Sequence, residues 1–307
     1  MSAIDLALTA TRPDGPPARP IPAQARTVNA MSIDIEDWFQ VGAFEDVIAR
    51  ESWETLPSRV ERNSDAALEL FAEAGVKATF FTLGWVAARH PALVRRFADA
   101  GHELASHGWD HKRVFTFTPE QFRADIVRAR AAIEDASGQR VEGYRAPSFS
   151  IDARNAWAHR VLAEEGYAYS SSVAPIAHDH YGWREAPRFL FRPVSGSDFV
   201  EMPVTTVELA GRRMAAGGGG FFRMLPYAFS RWAVDRVNRV EDHPAVFYFH
   251  PWEIDPDQPR VGAAPLRSRV RHYSRLSAMR GKMRKLLGDF SWATTAHVVA
   301  SERERLR

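Results

Sequence analysis

The chain has 307 residues, 45% hydrophobic and 25% charged, with a net charge of +2 and no cysteine. That composition belongs to an ordinary folded protein, and it excludes disulfides, thiolate nucleophiles and cysteine-ligated metals. A charge this small also argues against a polycation built to coat nucleic acid, and only four of the 40 basic residues are lysines.

Residues 1–27 hold Pro13, Pro16, Pro17, Pro20 and Pro22 with scattered arginines, and read as a flexible tail without the apolar stretch of a secretory signal. No apolar run approaches the ~18 residues of a membrane span. The expectation is a cytoplasmic protein. Val28 to Ile35 reads as a buried strand that delivers Asp34, Glu36 and Asp37 at its C-terminal end. Asn63 or Ser64 is expected to cap a helix that Gly75 stops. Val76 to Leu83 is the next strand, Pro91 to Ala100 a helix, and His102 to Ala105 a short strand running into Ser106-His107-Gly108-Trp109-Asp110-His111. Thr118-Pro119-Glu120-Gln121 is a capping box with proline at the first helical position, opening a helix that ends near Gly138.

Val141 to Tyr144 is a strand followed by Arg145-Ala146-Pro147-Ser148, and a helix from Ser150 to Glu165 precedes a strand at Tyr167 to Val173. Residues 174–199, with His178, Asp179 and His180, are loop-like. Val200 to Val207 is a strand, and the run Gly217 to Gly220 reads as a mobile loop, since no G-K-[ST] follows to cradle phosphate. A helix from Pro226 to Val240 leads to the strand Ala245 to Phe249, which empties into His250-Pro251-Trp252-Glu253. From Leu266 to Leu287 apolar residues recur at helical spacing among basic ones, which predicts one amphipathic, basic helix packed on the domain. Repeated alternation of strand and helix predicts a parallel α/β sheet, a barrel or doubly wound, with polar residues gathered on one rim.

Two imidazoles four residues apart can close on one metal ion, and two histidines with one carboxylate form a catalytic zinc set. A spare carboxylate can take a proton from water, and a separate histidine can protonate a leaving amine. Asp34, Glu36, Asp37, His107, His111, Arg145 and His250, all at strand ends, therefore supply the parts of a metal-assisted amide hydrolase.

Ser32-Ile33-Asp34-Ile35-Glu36-Asp37, the His107 and His111 pair, Arg145-Ala146-Pro147 and Tyr248-Phe249-His250 occur in the order of the NodB-type polysaccharide deacetylases, carbohydrate esterase family four. The resemblance spans about residues 30 to 255. More narrowly, Asp37-Trp38-Phe39-Gln40, His250-Pro251-Trp252-Glu253-Ile254-Asp255-Pro256 and the stretch from Ser268 to Tyr273 resemble the deacetylases of exosortase and PEP-CTERM exopolysaccharide loci. The resemblance implies a distorted (β/α) barrel over residues 28–257, with a helical C-terminal extension over 258–307. It implies a divalent metal, zinc first, on His107, His111 and either Glu36 or Asp37. Strand alternation puts Glu36 on the face of Asp34 and favours it.

Asp34 would be the general base, Arg145 its orienting partner and His250 the general acid, while the N–H after Pro147 would hold the oxyanion. Trp38, Pro147, Ser148 and Trp252 would line the substrate site. The family tends to support the catalytic histidine with an aspartate where Ser170 stands here, which leaves Glu253 or Asp255 to face His250. The substrate would be an N-acetylated polysaccharide, oligosaccharide or precursor, and exopolysaccharide synthesis machinery the partner, with no nucleic acid. A small-molecule amide or imide hydrolase on the same barrel, or a non-catalytic sugar-binding protein, are the alternatives.

Overall fold

β1 (Val28–Ile35) is buried at every position after Val28, which is why its sequence is a near-continuous apolar run and not an alternation. The computed structural model describes residues 27–177 and 182–305; the proline-rich stretch at 1–26 and His178, Asp179 and His180 lie outside them. Around β1 come β2 (Thr79–Thr82), β3 (Glu103–Ser106), β4 (Gly143–Tyr144), β5 (Tyr169–Ser170) and β6 (Val200–Glu201). They form one parallel sheet in that order, with β9 (Val246–Phe249) also paired to β1. β7 (Thr206–Leu209) and β8 (Arg212–Ala215) form a separate antiparallel hairpin. β10 (Ser291–Ala293) joins the lower end of β1 in parallel. On β9, Tyr248 also forms an isolated parallel bridge with Gly218. This parallel half-barrel sheet with surrounding helices is the distorted α/β barrel that the family resemblance implies, one of the two architectures that the alternation of elements leaves open.

Helices cover the outside: α1 (Val60–Ala74), α2 (Gly84–Arg89), α3 (Pro91–Asp99), α4 (Pro119–Ser137), α5 (Trp157–Glu164), α6 (Gly219–Met224), α7 (Tyr227–Arg239), α8 (Leu266–Tyr273), α9 (Leu276–Asp289) and α10 (Thr295–Arg305). The capping box opens α4 as its sequence predicts, with Gln121 N–H donating to Thr118 Oγ1 at 3.2 Å. Among the described residues no helix is long and apolar enough to cross a membrane.

Four differences from expectation have physical reasons. α1 starts at Val60, not at Asn63 or Ser64, because the Asp37 carboxylate accepts from the Arg59 and Val60 amides at 2.9 and 3.2 Å and caps the helix from a distant loop. The strand expected over 200–207 breaks after Glu201, where Pro203 offers no ladder donor. The helix expected over 266–287 breaks at Arg275, which adopts φ 53°. There the Arg223 guanidinium donates to the carbonyls of Arg271, His272 and Ser274 and ends α8.

The glycine run is also not a free loop. A Cβ on Gly217 would lie 2.2 Å from the Val246 carbonyl oxygen, and one on Gly218 would lie 2.8 Å from the Tyr248 hydroxyl. The backbone here is pressed against β9, and only hydrogen fits. Gly217→Ala is therefore expected to cost about 1 to 3 kcal/mol in urea unfolding; a change within about 0.5 kcal/mol, as for exposed surface sites, would mean the run is mobile after all.

Candidate metal and active site

The rim of the sheet gathers side chains from five strand ends. His107 follows β3, and its Nδ1 lies 2.9 Å from the Arg145 carbonyl. A carbonyl can only accept, so Nδ1 carries the proton and Nε2 is left with its lone pair toward the rim. Burial, the largest influence, pulls the His107 pKa down to about 4, so the ring is neutral as a metal ligand must be.

Gly108 (φ 74°) and His111 (φ 62°) fold the chain back so that the two imidazoles face one another, ring centroids 5.5 Å apart. This turn is held from outside. The first amides of α2, on Gly84 and Trp85, donate to the carbonyls of Gly108 and Trp109 at 2.9 Å each, which also satisfies groups that a helix start leaves unpaired. Asp125 of α4 accepts from the Trp109 amide at 3.1 Å. Its own pKa is pushed up to about 7, mainly by burial.

Glu36 completes the cluster. Its Oε2 is 2.9 Å from His111 Nε2, yet the atom is buried and has no hydrogen-bond donor among the described residues. One ligand atom each from Glu36, His107 and His111 lies within 4.8 Å of the others. Burial by itself would raise the Glu36 carboxyl, but the charges of His111 and His250 hold it well below the usual carboxylate range. The free Nε2 of His107, the His111 ring and an orphaned carboxylate oxygen of Glu36, brought this close together, fit a divalent cation.

Asp37 is not part of that cluster. Its Oδ1 accepts from the Trp38 amide at 2.8 Å, and its Oδ2 accepts from the Ser58 hydroxyl at 2.6 Å as well as from the two helix amides. Its Oδ2 is taken up by the N-terminus of α1.

Asp34 sits beside the cluster and is almost completely buried. Arg145 Nη1 donates to Asp34 Oδ1 at 2.7 Å and to Ser32 Oγ at 2.8 Å, while its Nε and Nη2 donate to the Ser171 carbonyl and hydroxyl at 3.0 and 2.9 Å. Across from it, His250 Nε2 stands 3.5 Å from Glu36 Oε1 and 4.0 Å from Asp34 Oδ2. The other ring nitrogen, Nδ1, is 2.8 Å from Glu253 Oε1. Burial would lower the His250 pKa, but Glu36, then Glu253 and Asp34, outweigh it and raise it to about 9.

Of the two acids expected to face His250, Glu253 does so; Asp255 turns away to accept from Arg59 at 2.6 Å and Asn63 at 3.1 Å. Pro147 is buried and Ser148 half-buried at the rim. Ser148 and Phe149 carry φ values of 54° and 49°, left-handed conformations that cost non-glycine residues free energy and tend to collect at functional sites.

The two tryptophans are not sugar platforms. Trp38 is in the core, its indole N–H donating to the Pro57 carbonyl at 3.1 Å. Trp252 is buried between the rings of His250 and His272, at 5.0 and 4.1 Å, and its N–H donates to Glu36 Oε1 at 3.1 Å. Each buries a large ring and still finds a partner for its N–H, which is how buried indoles are accommodated.

Sequence reading missed Arg223 and His272 altogether. Arg223 is as buried as Arg145 and donates from Nε to Glu253 Oε2 at 2.7 Å. Nothing local marks either residue. A signal for Glu253 was present, since His250-Pro251-Trp252-Glu253 is the spacing of a capping box, and the Glu253 side chain does accept from the His250 amide at 3.1 Å.

The profile of a family described as polysaccharide deacetylase matches residues 50–169, and that of a domain of unknown function (DUF3473) matches residues 171–300. A chitooligosaccharide deacetylase of a Bradyrhizobium strain is 30% identical over 184 residues, which cover 60% of this chain and 75% of that protein. A crystal structure from Mycobacterium smegmatis, carrying a polysaccharide deacetylase designation, superposes with a TM-score of 0.61 at 19% identity, over 96% of each chain. The allantoinase Puue superposes with a TM-score of 0.58 at 17% identity, over 91% of each. At such identities both likenesses speak to the fold alone.

Asp37→Ala is expected to lower stability by about 1 to 2 kcal/mol, the worth of a helix cap, and to leave divalent-metal content as in the unmodified protein. Loss of metal in elemental analysis would return Asp37 to the ligand set.

Proposed function

Because the chain belongs to the NodB-type polysaccharide deacetylases, we propose that it is a metal-dependent hydrolase that removes N-acetyl groups from an amino-sugar polysaccharide, oligosaccharide or precursor. The observation that carries this reading is the convergence of Glu36, His107 and His111 on one point, flanked by Asp34 and by His250.

Glu36, His107 and His111 would hold the cation, zinc being the first choice for such a donor set. When bound it supplies Lewis-acid polarisation of an amide carbonyl and a lowered water pKa. Asp34, fixed by Arg145, takes the proton of the attacking water. The Ser148 amide, turned by its left-handed backbone, is the candidate donor to the oxyanion. His250 delivers its Nε2 proton to the departing amine as the carbon–nitrogen bond breaks, leaving acetate and the free amino sugar. The likeness of Asp37-Trp38-Phe39-Gln40 and of the segment from His250 to Pro256 to deacetylases of exosortase loci supports an exopolysaccharide, or its lipid-linked precursor, as substrate. It likewise supports the synthesis machinery of that polymer as partner.

Acetate release from a panel of N-acetylated oligosaccharides, with metal stripped and restored, tests the reading. Activity confined to small cyclic amides, or indifferent to stripping, would sink it. Asp34→Asn should keep its metal and lose about 100- to 10,000-fold in turnover, the usual weight of a general base; loss of metal would make Asp34 a ligand.

The pH profile follows from His250. Its protonated form is the acid, so turnover falls as pH rises through its pKa. Glu253 helps hold that pKa up, so Glu253→Gln lowers it and moves the alkaline limb to lower pH. A cation on Glu36 offsets part of the same elevation, but it does not change the direction. An alkaline limb that stays in place in the variant would show that another group sets it.

A further inference from the structure

Arg223 lies one turn after the glycine run and has no solvent contact to account for its charge. All of its hydrogen bonds are internal. Nε reaches Glu253 Oε2 at 2.7 Å, while Nη1 and Nη2 reach the carbonyls of His272 at 3.1 Å, Ser274 at 2.5 Å and Arg271 at 3.2 Å. The far oxygen of the same carboxylate, Glu253 Oε1, holds His250 Nδ1 at 2.8 Å and the His250 amide at 3.1 Å. A Cβ on Gly219 would come within 2.3 Å of that oxygen, so the backbone closes the carboxylate in from a third side. His272 stacks on Trp252, which holds Glu36, and its Nε2 is 2.6 Å from Gln258 Oε1.

We propose that Arg223 is a positioning residue for His250, acting through Glu253, and that residues 271–274 belong to the same device because their carbonyls orient the guanidinium. The inference rests on the reading of His250 as the general acid. A carboxylate with two oxygens can face an imidazole in several ways, and a planar guanidinium bonded at four points leaves only one. Glu253 Oε1 then fixes the proton on Nδ1 in the neutral ring and aims Nε2 at the space between Asp34 and Glu36. Asp34 is fixed by Arg145 on one side of the site; Arg223 does the equivalent for His250 on the other.

The test is a double-mutant cycle on the full-length, metal-loaded protein, combining Arg223→Gln and Arg223→Lys with Glu253→Gln. On an N-acetylated oligosaccharide, Arg223→Gln should lower kcat by about 10- to 100-fold with KM changed by less than about twofold, the pattern of a misplaced but present catalytic group. In the Glu253→Gln background the same substitution should cost less than about threefold, because the path through the carboxylate is already cut.

A readout independent of turnover is the ring ¹⁵N spectrum of histidine-labelled protein, the His250 signals being those lost in His250→Gln. Arg223→Gln and Arg223→Lys should each move them, and in the Glu253→Gln background neither should. Equal kcat losses in both backgrounds, or His250 signals that stay put, overturn the proposal. If Arg223→Gln does not fold, Arg223→Lys, which keeps a cation against Glu253, carries both measurements. Should the unmodified protein release no acetate, the deacetylase reading fails, and the ring spectra still decide whether Arg223 positions His250.

Discussion

A guanidinium that reaches no water has to be matched donor by donor, and that of Arg145 is matched to β1 and to the end of β5, while its backbone carbonyl meets the end of β3. It holds Ser32 and Asp34 on β1 and Ser171 after β5, and its own carbonyl receives the proton of His107 after β3. The Phe81 ring of β2 covers its face, with the guanidinium carbon 4.0 Å from the ring centroid. Taking a charge of this kind out of water costs several kcal/mol, and removing one partner of such a pair costs about 3 to 5. The strands cannot slide past one another without breaking that match. One buried residue therefore ties the rim together, placing the candidate base through its guanidinium and one imidazole through its backbone carbonyl.

The serines around it show how far the match propagates. Ser172 Oγ accepts from the Ala146 amide at 2.9 Å and meets Ser170 Oγ at 2.7 Å, while Glu201 accepts from the amides of Ser172 and Val173 at 2.7 and 2.8 Å. Glu201 is itself buried against His159 at 3.1 Å. Ser170, which occupies the place where the family tends to carry an aspartate, thus belongs to the frame behind Arg145. The support of His250 comes from the opposite side of the barrel, through Glu253.

The parts legible in the sequence were those written in local spacing. The capping box of α4, the apolar run of β1 with Asp34 and Glu36 on one face, and the His107 and His111 pair across a glycine each carry their geometry within a few residues. What was illegible depends on partners far along the chain. Asp37 looks like a third ligand from its neighbours, but the start of α1, over twenty residues on, claims it. Trp38 and Trp252 look like sugar platforms because indoles beside a site often are, yet the packing that buries them is tertiary. Four glycines in a row read as slack chain until β9 is seen to press against Gly217 and Gly218, and Glu253 against Gly219.

Two such long-range matches decide how the chain can be divided. The candidate base and all three candidate ligands come from residues 34 to 111, whereas His250, Glu253, Arg223 and the carbonyls that hold it come from residues 223 to 274. β10 and α10 then return to pack on β1, and the Thr295 amide donates to the Thr79 hydroxyl on the neighbouring β2 at 2.7 Å. The helical segment after residue 257 is accordingly more than a cover on a finished barrel. Its α8 carbonyls are the acceptors Arg223 needs, His272 is the second face of the stack that seats Trp252, and Trp252 in turn holds an oxygen of Glu36. The candidate acid, placed from one side, and the candidate base and ligands, placed from the other, meet over a gap of 4.0 Å between His250 and Asp34. Misplacing groups by about 1 Å can cost a hundredfold in rate, so the two buried arginines are where the fold holds that gap.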